Sequence, residues 1–344
     1  MKTGKILSSI LSGSLCTFFV GLMAAAAPVD AQVPAQPVIM RLATTTTNDA
    51  DVEWLETFGQ GVQVRSNGRI RFELYPSGQL GSAQRTAEGV VLGTVAVTLN
   101  ASGFFESLEP RFGIFSAPGL FDSMEHGNQV LNDPEIRTLI SEYGKGKGYE
   151  VLTAFMHTPM TLVTRDPYIK NEDLQGRKIR VPGFPLYINM FRSLGAAPLS
   201  MSLPEVLPAM QNRTIDGAMG GNTVFSALKF YDITANMTWL PATHVVVTAI
   251  ISTSFLDRLS PELRTIIRQE AYKADQHIYR WGVEDVNRKR LEWEVNGGKS
   301  HTLDAQAAQA FTAIATQTAR EIFSANPQQM QDWERFRTIA QKYR

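Results

Sequence analysis

The stretch from Pro261 to Val295 contains no proline after its first residue and no glycine except Gly282. Within it Leu263, Ile266, Ile267, Ala271, Ala274, Ile278, Trp281 and Leu291 fall at helical spacing. Pro261 suits a first helical turn, and Gly297-Gly298 supplies a stop. A single helix of this length would run about 50 Å, longer than one small domain. It predicts a body of two domains sharing one helix; the other reading is two helices broken at Gly282.

The rest of the chain agrees with two domains. Its 344 residues, 44% hydrophobic and 19% charged, are globular in composition. The pattern predicts strands over 38–43, 70–74 and 95–99, with helices over 49–65 and from Ser82 to about Leu92 between them. Strands over 150–155, 160–164 and 177–181 follow, then helices over 186–194 and 204–212. A short strand over 215–218, a helix over 223–230 and a β-branched strand over 245–252 come next. The tail, 305–343, reads as helical. Alternation of this kind predicts an α/β fold with parallel strands and crossover helices, in two blocks that divide near residue 155.

The N-terminus reads as a processing segment. Lys2 and Lys5 precede an apolar region within 6–27, and Val29-Asp30-Ala31 fits a cleavage site before Gln32. This predicts a signal peptide over 1–31 and a mature protein in the periplasm, soluble once the signal is removed. Cys16, in that segment, is the only cysteine, so the mature chain has no disulfide, thiolate metal site or cysteine nucleophile. The formal net charge of +0 gives no electrostatic case for nucleic acid.

Catalytic and metal signatures are missing. His126, His157, His244, His277 and His301 form no HExxH or His-x-His pair, so spacing predicts no metal site. There is no GxSxG elbow and no phosphate loop. Gly144, Gly146 and Gly148 lie between a helix and a strand, the wrong order for dinucleotide binding. No cofactor and no catalytic residue is expected.

Leu174 to Gly195, reading LQGRKIRVPGFPLYINMFRSLG, is where the sequence points to a ligand. Alternation puts Ile179 and Val181 on one strand face and Lys178 and Arg180 on the other. An isolated strand arginine ordinarily faces solvent. A guanidinium at a strand end, before a Pro-Gly turn and a helix opening near Phe184, is also placed to grip a carboxylate.

The whole mature chain resembles the periplasmic solute-binding proteins of tripartite ATP-independent (TRAP) transporters, of the DctP type. The matching segments are Tyr75–Gly81 (YPSGQLG), Glu88–Gly93 (EGVVLG), Leu174–Pro182 (LQGRKIRVP), Leu194–Pro198 (LGAAP), Pro204-Glu205-Val206 and Asp216-Gly217. The resemblance implies a two-lobed clamp, each lobe a sheet flanked by helices, with the long helix spanning both. Lobe I is expected over 32–155 plus 245–282, and lobe II over 156–244 plus 283–344. It implies that an organic acid binds between the lobes, paired to Arg180, and is delivered to the membrane subunits of a transporter. It implies further cleft positions at Thr44, Asn100, Met160, Phe184, Leu203, Gly220 and His244, with His244 equally readable as a structural hydrogen bond at the hinge. A second family arginine falls here on Met160, an aromatic position on Leu203, and a ligand-facing asparagine on Gly220, which Asn222 replaces only if the loop shifts. These departures predict a ligand with one carboxylate and a larger, less polar body. The alternatives are a ligand-binding subunit of a sensory system, which sequence does not separate from transport, and an α/β hydrolase or isomerase, for which no nucleophile or base is placed.

Overall fold

The computed structural model describes residues 36–344; the expected signal segment and Cys16 lie outside the described residues. The first half runs β1 (Val38–Ala43), α1 (Ala50–Arg65), β2 (Ile70–Tyr75), α2 (Ala83–Leu92), β3 (Val97–Ala101), α3 (Met124–Asn132), α4 (Pro134–Ser141) and β4 (Tyr149–Thr164). Next come β5 (Lys178–Val181), α5 (Pro185–Ser193), β6 (Ala197–Ser200), α6 (Leu203–Gln211), β7 (Gly217–Gly221), α7 (Asn222–Ala227) and β8 (Asn236–Ser252). The chain ends with α8 (Thr253–Asp257), α9 (Pro261–Val295), β9 (Lys299–Thr302), α10 (Ala305–Ser324) and α11 (Pro327–Ala340).

Local chemistry sets these boundaries. The side chains of Asp49, Ser82 and Ser260 accept backbone N–H bonds at the starts of α1, α2 and α9. Gly93 closes α2 in the left-handed region at φ 78°, where a side chain would be strained.

Nine strands form one sheet in the order β2-β1-β3-β8-β4-β7-β5-β6, with β9 beside β8. Parallel pairs (β1 with β2 and β3, β5 with β6 and β7) occupy its two ends. The centre is the antiparallel pair β4 and β8. These two strands are longer than the sequence pattern predicts: the expected break between 155 and 160 is absent, and β8 begins well before 245. Pro159, Pro241 and the polar run between Met156 and Met160 mimic a turn. The backbone passes through them instead with register shifts at Met156/Thr158 and Pro159/Thr161. Ala242, at φ 43°, marks the same irregularity on β8. β3 pairs with Val247–Ile251 of β8 and β7 with Met160–Thr164 of β4, so the sheet's two halves share only these strands.

α9 is continuous, and the reading that breaks it at Gly282 is wrong. A helical glycine costs only about 1 kcal/mol, and packing on both sides of it offsets that. Leu263, Ile266, Ile267, Ala271, Ala274 and Ile278 join one core with Trp54, Leu55 and Phe58. Trp293 joins another with Val163, Met210, Phe225 and Phe230. One helix is thereby tied into a core in each half.

Candidate functional site

A cavity of about 80 Å³ lies where the parallel strands end. Thr45 and Thr46 follow β1, Ala101 to Phe104 end and follow β3, Arg180, Pro182 and Phe184 end and follow β5, and Gly220 and Gly221 close β7. Carboxyl ends of strands gather such residues because the loops leaving them diverge and open a crevice. His157 and Met160 of β4 and His244 to Val247 of β8 form its central wall. The volume is several times what a single water needs.

Arg180 lies in this wall and is 3% exposed, which overturns the solvent-facing reading. Its Nε and Nη2 donate to the Met201 carbonyl at 3.1 and 3.0 Å, and Nη1 donates to the Met219 carbonyl at 2.9 Å. A guanidinium has five N–H groups, so one on each terminal nitrogen is left over. No carboxylate pairs with it among the described residues. Burial pulls its pKa down to about 10, with Glu205 opposing from a distance, so it stays charged at neutral pH. A buried cation without a counter-charge is costly, and an anionic ligand in the cavity removes that cost.

Phe184 closes one side. It is the residue before α5, and Pro185 starts that helix. Its ring meets Phe104 edge-on at 4.7 Å and lies 5.4 Å from Tyr187. It packs so tightly on Gly103 that a Cβ there would fall 2.7 Å from Cδ2 and Cε2 of the ring. Gly103→Val is therefore expected to push Phe184 out and weaken binding of an acid by about tenfold to a hundredfold, the cost of overpacking by about 1–3 kcal/mol. Calorimetric titration checks this, and unchanged affinity would show that the Phe184–Gly103 contact is not needed for binding.

The other expected positions divide. Met160, Leu203, Gly220 and His244 line the cavity. Thr44, Asn100 and Asn222 lie outside its lining and hold the residues around it. Thr44 is buried and donates to Asp51 Oδ2 at 3.2 Å. Asn100 accepts from Thr45 N and Oγ1 at 3.2 and 2.8 Å, and so holds the loop that does reach the cavity. Asn222 accepts from Thr158 Oγ1 at 2.6 Å and donates to the Val286 carbonyl of α9 at 3.3 Å.

Sequence reasoning missed several polar neighbours. Thr45, Thr46, Asp51, Ser102, Ser116 and His157 reach the cavity, although apolar groups make up most of its surface. Asp51 and His157 adjoin Asp49: His157 Nε2 is 3.3 Å from Asp49 Oδ2 and 3.8 Å from Asp51 Oδ1, all buried. Burial pushes Asp51 up to about 7, with His157 pulling it back and Asp49 raising it further. Burial disfavours charge on His157, but Asp51 and Asp49 outweigh it and lift the imidazole to about 9. Nothing in the spacing of residues on α1 and β4 announces this cluster.

His244 behaves oppositely. Burial holds it at about 4, against 6.5 for an ordinary imidazole, and its Nδ1 has no partner among the described residues. Below pH 6.5 the unfolded chain takes up a proton that the fold refuses. Its contribution to stability is therefore whole above that pH and is lost as the pH falls toward 4. His244→Gln is expected to lose about 2 kcal/mol less than the parent between about pH 7 and about pH 4.5 in urea melts. Identical losses would show that His244 is not held neutral.

The model of the family described as "Bacterial extracellular solute-binding protein, family 7" (DctP) matches residues 43–326. The 2,3-diketo-L-gulonate-binding periplasmic protein of Escherichia coli strain K12 is 28% identical over 243 residues, 70% of this chain and 74% of its own. The sialic acid-binding periplasmic protein of Vibrio cholerae is 28% identical over 224 residues, 62% of this chain and 66% of its own. Among solved structures, a TRAP periplasmic solute-binding protein of Xanthobacter autotrophicus with bound β-D-galacturonate has a TM-score of 0.82 at 23% identity, over 87% of this chain and 99% of that one. Another, from Ochrobacterium anthropi with bound L-fuconate, has a TM-score of 0.79 at 25% identity, over 88% of this chain and 99% of that one.

Proposed function

Since the chain belongs to bacterial extracellular solute-binding protein family 7, the DctP-type receptors of TRAP transporters, we propose that Arg180 is the group that neutralises the captured organic acid. The acid sits between two lobes, one of residues 32–155 plus 245–282 and the other of 156–244 plus 283–344. The register shifts in β4 and the irregular backbone at Ala242 support a hinge at that division. The lobes close as the ligand makes contacts to both, which shifts an existing open–closed equilibrium. The loaded clamp then docks on the membrane subunits of its transporter, from the periplasm. The protein binds and releases without catalysis. None of the described helices is long and apolar enough to cross a membrane.

The observation that carries this reading is a buried, charged arginine with spare donors and no carboxylate partner, in a cavity at the strand ends. Thr45, Thr46, Asp51 and Ser102 give a mostly apolar cavity a few hydrogen-bonding groups that ligand hydroxyls can meet. The uronate, aldonate and keto-acid named for the relatives support the same class. The proposed ligand is a polyhydroxylated monocarboxylate.

Melting the protein with a panel of hexuronates, aldonates, aliphatic monocarboxylates, dicarboxylates and the matching neutral sugars tests this. A sugar acid at about a hundred times its Kd is expected to stabilise the fold by about 2.7 kcal/mol, a shift of about 5 °C or more. Equal shifts from the neutral sugars, or shifts only from succinate and malate, would overturn the assignment.

A further inference from the structure

Spacing predicts no metal site, yet Asp49, Asp51 and His157 bring three donor atoms within 4.8 Å of one another. We propose that they hold a divalent first-row cation of the zinc type, with an open coordination position toward the cavity that takes an oxygen of the bound acid. The second half of this proposal rests on the receptor reading above; the first half does not.

The donor atoms are orphans. Asp49 Oδ2, Asp51 Oδ1 and His157 Nε2 are buried, and none has a hydrogen-bond partner among the described residues. The imidazole Nε2 stands 3.3 Å from Asp49 Oδ2 and 3.8 Å from Asp51 Oδ1, without hydrogen-bond alignment to either. Three buried donor atoms this close together make a candidate coordination site. Bonds of about 2.0–2.1 Å at tetrahedral angles separate donors by about 3.3 Å. The observed 3.3 and 3.8 Å lie near that, and the third separation is within 4.8 Å.

The remaining carboxylate oxygens are already oriented. Thr46 Oγ1 and the Asp51 amide donate to Asp49 Oδ1 at 2.9 and 3.1 Å, and Thr44 Oγ1 donates to Asp51 Oδ2 at 3.2 Å. Capping α1 uses one oxygen of Asp49 and leaves the other toward the centre. Such outer contacts are what fix metal ligands in place. Charge argues the same way. Two buried carboxylates face one imidazole; the nearby Asp285 is already paired to Arg288 at 2.6 Å and leaves that balance unchanged. A dication with two carboxylates and a neutral imidazole is balanced. Asp51 and His157 also line the cavity, whereas Asp49 is behind them, so the open side faces the ligand space.

The test uses the full processed chain, treated with a chelator and titrated with Zn²⁺ by calorimetry. One equivalent per chain is expected in the parent and in Arg180→Ala, with at least tenfold weaker binding in His157→Gln. No Zn²⁺ binding by the parent, or equal binding in His157→Gln, overturns the site. Survival of Zn²⁺ binding in Arg180→Ala separates this outcome from any failure of the acid-binding reading. Loading with Co²⁺ reads the site without a variant: tetrahedral d–d bands are expected, shifting when azide is added. Bands of six-coordinate aqueous cobalt overturn the coordination, and bands that azide leaves unchanged overturn the open position.

Discussion

Arg180→Ala is expected to weaken binding of the acid by about 3–5 kcal/mol, a few hundredfold to a few thousandfold. The size follows from burial. Two carbonyls, of Met201 and Met219, hold the guanidinium plane, and its two unused N–H groups remain for a carboxylate. Removing the arginine leaves an incoming carboxylate buried without a counter-charge, which costs more than losing an exposed pair. The fold is affected less, because losing the bonds to the two carbonyls is offset by removing a buried cation. Arg180→Lys is expected to fall between the two, since one ammonium cannot serve both carbonyls and a carboxylate in the same geometry. Calorimetric titration of the three proteins checks the order, and parent-like affinity in the alanine variant rules Arg180 out as the anchor.

The second large effect is on stability. Trp54→Ala is expected to destabilise the fold by about 5 kcal/mol, from the cavity left by a fully buried indole and the loss of its hydrogen bond. Trp54 is 0% exposed, stacks on Phe58 at 4.9 Å and donates from Nε1 to Asp275 Oδ1 on α9 at 2.8 Å. Burial pushes Asp275 up to about 7, with the Trp54 bond drawing it down, so the lost donor leaves a poorly solvated carboxyl. Trp54→Phe keeps most of the packing and removes only the donor, so about 1–2 kcal/mol is expected. Urea denaturation separates the two. An alanine variant as stable as the parent would show that α1 is not docked on the long helix through this residue.

The long helix and the setting of Arg180 in a strand at the cavity were legible in the sequence for physical reasons. A proline-free run of helical spacing has few alternatives, and RKIRVP sets a charged residue in a strand beside buried ones. The misses are equally physical. Thr44 and Asn100 sit next to residues that do line the cavity. Side chains alternate faces along β3, so Asn100 and Ala101 point apart, whereas Thr44 lies just past β1, in the loop whose next two residues reach the cavity. Asn222 starts α7, and its side chain is taken up by Thr158 and the Val286 carbonyl. Proline and polar residues inside β4 and β8 look like chain breaks in sequence, but bulges absorb them in the sheet. Asp51 and His157 meet only through packing of α1 against the sheet, and no local pattern encodes that meeting.

The central claim is that the ligand's negative charge is read by a buried guanidinium. Titrating the parent protein by calorimetry with the most stabilising sugar acid and with its neutral methyl ester isolates that charge. The ester is expected to bind at least about a hundredfold more weakly, the cost of losing a charge-assisted pair in a buried site. Equal affinities for acid and ester would contradict the account.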